Sequence, residues 1–248
     1  GEVVGDVIMT AGERGKRILA ATLQGRQRGS APTQKLVFAG VTGTALLTAA
    51  WLVLADGLST VGLEQRAPVR CRLSLACAAM YQMRTLVTLF YLLQRRMPMA
   101  EAVSVSTFVA LWMVGATLLA SGDVWPRVPD EQWSDWVGLV LVLVGSFLNT
   151  ASEVQRKWWK THEENRGHCC TVGLWRLAMH INYFGDVVLF SGWVVVTAAW
   201  WMAWLPVLMA YNFAFHQGPE LDEYLAKRYG DEFDKWQRST KKLIPFVW

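Results

Sequence analysis

The chain has 248 residues, of which 53% are hydrophobic, 14 are Trp and only 18% are charged. A formal charge of +4 on so apolar a chain does not supply the basic soluble face that nucleic-acid binding requires, so no nucleic-acid partner is expected. The four cysteines, Cys71, Cys77, Cys169 and Cys170, form no C-x-x-C pair; this excludes a thiol redox motif or a zinc ribbon and predicts inert, reduced thiols.

Residues 1–35 read as a basic N-terminal arm, with Arg14, Lys16, Arg17, Arg26, Arg28 and Lys35 among Gly, Ser and Gln. It lacks the apolar core of a signal peptide, and reads either as a solvated tail or as a strip lying on anionic lipid. Beyond it, 36–248 is predicted to be an all-α, polytopic membrane helical bundle of about six transmembrane helices with a C-terminal amphipathic helix. The first span is expected over 36–55, where Gly40, Gly43 and an Ala-rich face invite close helix packing. The second, over 73–93, holds Tyr81, Gln82, Arg84 and Thr85 near its middle. Charge at that depth costs a few kcal/mol or more, so Arg84 requires a polar cavity or a paired acid, and Tyr81 lies one turn away on the same face.

A basic turn, Gln94-Arg-Arg-Met-Pro98, leads to a third span over 102–120. A polar loop with Asp123, Arg127, Asp130, Glu131 and Asp135 precedes a fourth over 137–148. From Asn149 to Asp186 the chain turns polar and basic, a connector with Arg156, Lys157, Lys160 and Arg166 placed between apolar segments. Fifth and sixth spans are expected over 187–201 and 203–215, both short for a bilayer. In the tail, 217–248, Leu221, Tyr224, Leu225, Arg228 and Tyr229 fall on one helical stripe. With six spans, most Lys and Arg lie on one side, as the positive-inside rule requires, and the connector and tail share that side.

No P-loop, no G-x-G-x-x-G after a strand and no H-E-x-x-H occurs. His162, His168, His180 and His216 do not fall at metal-ligand spacing, so no metal site is expected. Arg and Lys suit phosphates, Asn suits an amide or a ribose, and Trp or Tyr suit a flat ring. These residue types alone leave two readings open: a dinucleotide held without a Rossmann domain, or a charged connector bound to lipid headgroups.

Three motifs point further. They are Tyr81-Gln-Met-Arg84-Thr85, then Gly173-Leu-Trp-Arg-Leu-Ala-Met179-His180-Ile181-Asn182-Tyr183-Phe-Gly185-Asp186, and the tail Lys227-Arg-Tyr-Gly230-Asp-Glu-Phe233 with Leu243-Ile-Pro245-Phe246. Together, from about Tyr81 to Trp248, they resemble the steroid 5-alpha-reductase-like membrane family, including relatives grouped as domain of unknown function 1295, distant kin of isoprenylcysteine carboxyl methyltransferase. The resemblance implies a membrane reductase domain that binds NADPH through its polar loops and passes a hydride to a lipid-like enone. By matched position, Tyr81 and Arg84 would be catalytic, with Tyr81 donating to the substrate carbonyl. Asn149, Glu153, Lys160, Arg176, His180, Asn182, Tyr183 and Asp186 would contact the cofactor. The acidic partner of the tyrosine comes from the family's N-terminal half, and Glu64 and Glu101 are the candidates here.

The chain departs from the family's R-H-P at Met179 and Ile181, and His216 stands near a tail position where the family has Arg. Two other readings therefore accompany the reductase: a non-catalytic structural subunit of a larger membrane complex, and an S-adenosylmethionine-dependent methyltransferase. The expected setting is an integral, multi-pass protein of an endomembrane or organelle membrane. Its basic loops would face the cytosol, stroma or matrix, and its partners would be the bilayer, a lipid-like substrate and other membrane subunits.

Overall fold

The computed structural model describes residues 29–124, 130 and 132–248. The basic arm therefore lies outside the described residues over 1–28, as do Arg127 and Glu131. Among the described residues every regular element is helical. Helix α1 is Pro32–Leu54, and α2 is Pro68–Leu86, prolonged as a π-helix over Val87–Leu92. Helix α3 is Met99–Ala120 and α4 is Trp133–Trp159. Helix α5 is Ile181–Thr197; α6 is Trp204–Asn212, followed by a π-helical stretch over Phe213–Gln217; α7 is Gly218–Tyr229 and α8 is Asp231–Ser239.

Pro32 and Pro68 open α1 and α2, where the missing N–H is one of the helix's orphans in any case. Helix α4 starts at a reciprocal cap, in which the backbone N–H of Gln132 donates to the Asp135 carboxylate at 3.0 Å. Four helices, α1 to α4 with the π-helical extension of α2, are long and apolar enough to cross a membrane; α5 is a shorter apolar helix of 17 residues. Of the six expected spans, four thus have full bilayer length.

Two departures from the expected helix boundaries bear on the site. Helix α4 continues eleven residues past 148, and α5 begins at Ile181 rather than at 187. Hydropathy finds where a helix leaves lipid, not where it ends, and Ser152-Glu-Val-Gln-Arg156 are acceptable helix formers. Asn149, Glu153, Asn182 and Asp186 consequently sit on helices rather than in a loop.

The core gathers α3, α4 and α5 around Trp112, Met113, Val142, Leu189, Phe190 and Trp193. Close helix packing falls between α4 and α5. Gly138 faces Gly192 and Gly145 faces Gly185, each pair two turns from the next on its own helix. A Cβ on Gly192 would lie 2.6 Å from the Gly138 carbonyl oxygen, and one on Gly185 would lie 2.7 Å from that of Gly145. The two backbones therefore touch, as small residues permit in membranes. Gly40 and Gly43 do not serve this purpose: a Cβ at Gly40 meets nothing within 4 Å, and α1 packs instead through Ala45, Ala49 and Leu52.

The tail is two helices rather than one, parted at Gly230. Phe233 and Trp236 of α8 pack with Cys169, Cys170, Trp175, Met179 and Ile181, clamping the tail onto the connector. All four cysteines are buried and unbridged.

Candidate functional site

The site forms where α2, α4 and α5 meet on the polar side of the glycine contact. One turn beyond Gly145, α4 presents Asn149 and, four residues on, Glu153; α5 presents Asn182 and Asp186 at the same spacing. The helices run antiparallel, so each amide meets the other helix's acid. Asn149 Nδ2 donates to Asp186 Oδ2 at 3.1 Å and to the Asn182 carbonyl at 3.0 Å, and Asn182 Nδ2 donates to Glu153 Oε1 at 3.0 Å.

Helix α2 adds the cation. Arg84 Nη2 donates to Asp186 Oδ1 at 2.6 Å, so the mid-span arginine has the paired acid that burial demands. The same guanidinium lies 5.0 Å from the centre of the Tyr81 ring, and that ring packs edge-on to Phe190 at 5.8 Å and against Trp193 at 6.1 Å. At the outer end Arg156 donates to Glu153 and sits over the Trp175 ring at 5.5 Å, while Trp175 Nε1 donates to the Ser152 carbonyl at 2.9 Å.

The Gly173-Leu-Trp turn is thereby fixed to α4. Gly173 has φ +61°, the Gln155 side chain occupies the space a Cβ would take, and Gln155 Oε1 accepts from the Leu174 N–H at 3.0 Å.

Arg84, Asn149, Glu153, Asn182 and Asp186 therefore form one connected network beside Tyr81. The other expected site residues lie apart from it. Lys160, just past α4, reaches the Tyr229 hydroxyl at 3.1 Å, and Arg176 is exposed on the connector. His180 is buried and bonds Asp222 through Nε2 at 2.9 Å, with Lys242 on the far carboxylate oxygen at 3.4 Å. Tyr183 is stacked between His180, at 5.3 Å, and Phe213, at 4.5 Å.

Neither carboxylate considered for Tyr81 takes that place. Glu64 pairs with Arg66 at 2.8 Å and Glu101 pairs with Arg95; the acid nearest Tyr81 in the network is Asp186, acting through Arg84. The twin Asn-x-x-x-acid spacing on two adjacent apolar segments is the sequence signal that marks this crossing. Arg156, whose guanidinium links Glu153 to Trp175, was not among the expected site residues.

At the connector, burial and then Glu232 push the Cys169 thiol up to about 11, and burial pushes the Cys170 thiol up as well. The Glu101 hydrogen bond holds Arg95 above its ordinary value. Two buried polar atoms of the network have no hydrogen-bond partner among the described residues: Arg84 Nη1, a donor, and Asn182 Oδ1, an acceptor. In a crossing this well bonded, an orphan donor and an orphan acceptor are both open to a polar ligand.

Fold and network together describe a polytopic membrane protein whose polar centre lies at the root of its helices. The sequence profile of the family described as "Protein of unknown function (DUF1295)" matches residues 99–240, and the chain belongs to that family. The chain is also similar to "Steroid 5-alpha-reductase DET2" of Arabidopsis thaliana, with 29% identity over 124 residues, which is 48% of this chain and 45% of that protein. It is 26% identical over 110 residues to "Delta(14)-sterol reductase erg24" of Schizosaccharomyces pombe (strain 972 / ATCC 24843), covering 41% of this chain and 25% of that one. The matched stretch is under half the length of either relative.

Proposed function

We propose that this protein reduces a carbon–carbon double bond conjugated to a carbonyl in a sterol-like lipid, with NADPH as electron donor. The observation that carries the reading is the Arg84–Asp186–Asn149–Asn182–Glu153 network beside Tyr81, in a chain similar to two proteins named as steroid and sterol reductases. The residues fit the dinucleotide. Arg84 Nη1 and Asn182 Oδ1 offer the donor and acceptor that a carboxamide or ribose hydroxyl needs, and Arg156 and Lys160 offer cations for phosphate. Asn149, Glu153, Asn182 and Asp186 would hold it, with Lys160 toward its phosphates.

When bound, the dinucleotide supplies the hydride. Tyr81 donates its hydroxyl proton toward the substrate carbonyl oxygen, where charge builds as the double bond is reduced. Arg84 stabilises negative charge on the phenolic side of that hydrogen bond, and Asp186, braced by Asn149, keeps the guanidinium from turning away. Phe190 and Trp193 keep water from the ring. The basic end of the bundle, with Lys35, Arg95, Arg156 and Lys160, faces the compartment that holds the cofactor.

One observation favours the scaffold reading. Met179 and Ile181, at the two departures from R-H-P, are buried among Cys169, Trp175 and Phe233, so this part of the motif packs rather than binds. A single experiment separates the two readings: titrate the purified protein with NADPH by calorimetry, then follow NADPH oxidation with a 3-oxo-4-ene steroid as probe substrate. Saturable binding with turnover supports the reductase; no binding leaves the scaffold.

A further inference from the structure

The segment after α8 ends in a turn whose strain and exposure the site does not explain. The backbone N–H groups of Met179 and His180 donate to the carbonyls of Lys241 and Lys242, at 2.8 and 2.9 Å, and Leu243 is buried behind them. The chain then closes on itself. The N–H groups of Leu243 and Ile244 donate to the Trp248 carbonyl at 2.9 and 2.8 Å, and the Trp248 N–H donates to the Ile244 carbonyl at 3.0 Å. Within this turn Phe246 is held at φ +66°, a costly conformation for an aromatic residue. The outcome is outward display: Phe246 is 81% exposed and Val247 70%.

We propose that this turn is an interfacial anchor, seating Phe246 and Val247 at the headgroup–acyl boundary of the bilayer that the helices cross. Depth supports it. Apart from Asn212 the helical stretch from Trp204 to Phe215 carries no amide or charged side chain, His216 opens a polar run, and the Trp248 ring lies 6.0 Å from the ring of Phe215 at that boundary. Direction supports it too. Trp204, Val207, Leu208, Tyr211 and Phe215 are exposed along one face of that helix, and Trp248 carries the apolar surface on to the turn. Continuity with this lipid-facing stripe selects the bilayer over a second copy of the chain or a soluble protein. Residues 243–248 carry no charged side chain, and exposed Lys241 sits at their base to meet lipid phosphates. Because Lys241 and Lys242 also hold the backbone of Met179 and His180, the anchor ties the depth of the signature motif to the membrane surface.

The test uses the full chain in lipid nanodiscs and needs no catalytic readout, so it stands or falls apart from the reductase reading. Phe246→Cys and, separately, Val247→Cys are labelled with an environment-sensitive nitrobenzoxadiazole dye, the native thiols being buried. The expected result is emission shifted to the blue of the same dye on exposed Glu163→Cys, and quenched more by headgroup-proximal than by chain-end nitroxide lipids, as for insertion of about 5–10 Å. Water-like emission at both positions would overturn the anchor. So would quenching that appears only when differently labelled copies are mixed, because the turn would then be meeting another copy of the chain.

Discussion

Two of the three arginines on helix α2, Arg70 and Arg84, lie about 21 Å apart along its axis, each paired with an aspartate of another helix, and the pairs are built differently. Arg70 meets Asp135 at the start of α4 through Nε and Nη2, at 3.4 and 3.2 Å, with both side chains at most 1% exposed. Asp135 also takes the Gln132 N–H, so the pair is part of a helix cap. Arg84 meets Asp186 through one nitrogen, both side chains keep 12–18% exposure, and Nη1 is unspent. The sealed pair is spent on joining helices. The open one keeps a donor in reserve.

That contrast can be broken at either end. The largest effect is expected from Arg70→Met, which strands Asp135. Thermal unfolding in detergent should show a loss of about 3–5 kcal/mol, and Arg70→Met with Asp135→Leu should recover most of it. Equal losses from Asp186→Asn would erase the distinction. Next, Tyr81→Phe should lower turnover by about 10²-fold or more while leaving NADPH binding intact; unchanged turnover would remove Tyr81 from the reaction.

A smaller effect concerns the connector. The Cys169 thiol titrates higher folded than unfolded, so its contribution is present below about pH 8.5 and is lost as pH rises toward 11. Stability should drop by about 1–2 kcal/mol between pH 8 and pH 10, and Cys169→Ala should flatten that slope. Smallest, Asn182→Ala should weaken NADPH by about 0.5–1.5 kcal/mol, read by calorimetry.

Much of this was legible before folding. Arg84 in mid-span announced a partner, and Asp186 stood in the signature, but no local rule links residues 102 positions apart. Glu64 and Glu101, the candidate acids for Tyr81, pair instead with their near neighbours Arg66 and Arg95. Hydropathy falls after Asn149 and marks a loop there, although helical hydrogen bonding continues to Trp159. The Arg70–Asp135 lock was missed outright; the Gln132-x-x-Asp135 cap was its sequence trace. Gly138 and Gly145, matched by Gly185 and Gly192, were equally visible as a spacing, but their partnership exists only once the helices are set antiparallel.

The backbone contact between α4 and α5 also constrains traffic. Where two helices touch with nothing between them, a greasy molecule diffusing in the membrane finds a wall and not a door. A guest that reaches Tyr81 from the lipid therefore does not pass between α4 and α5.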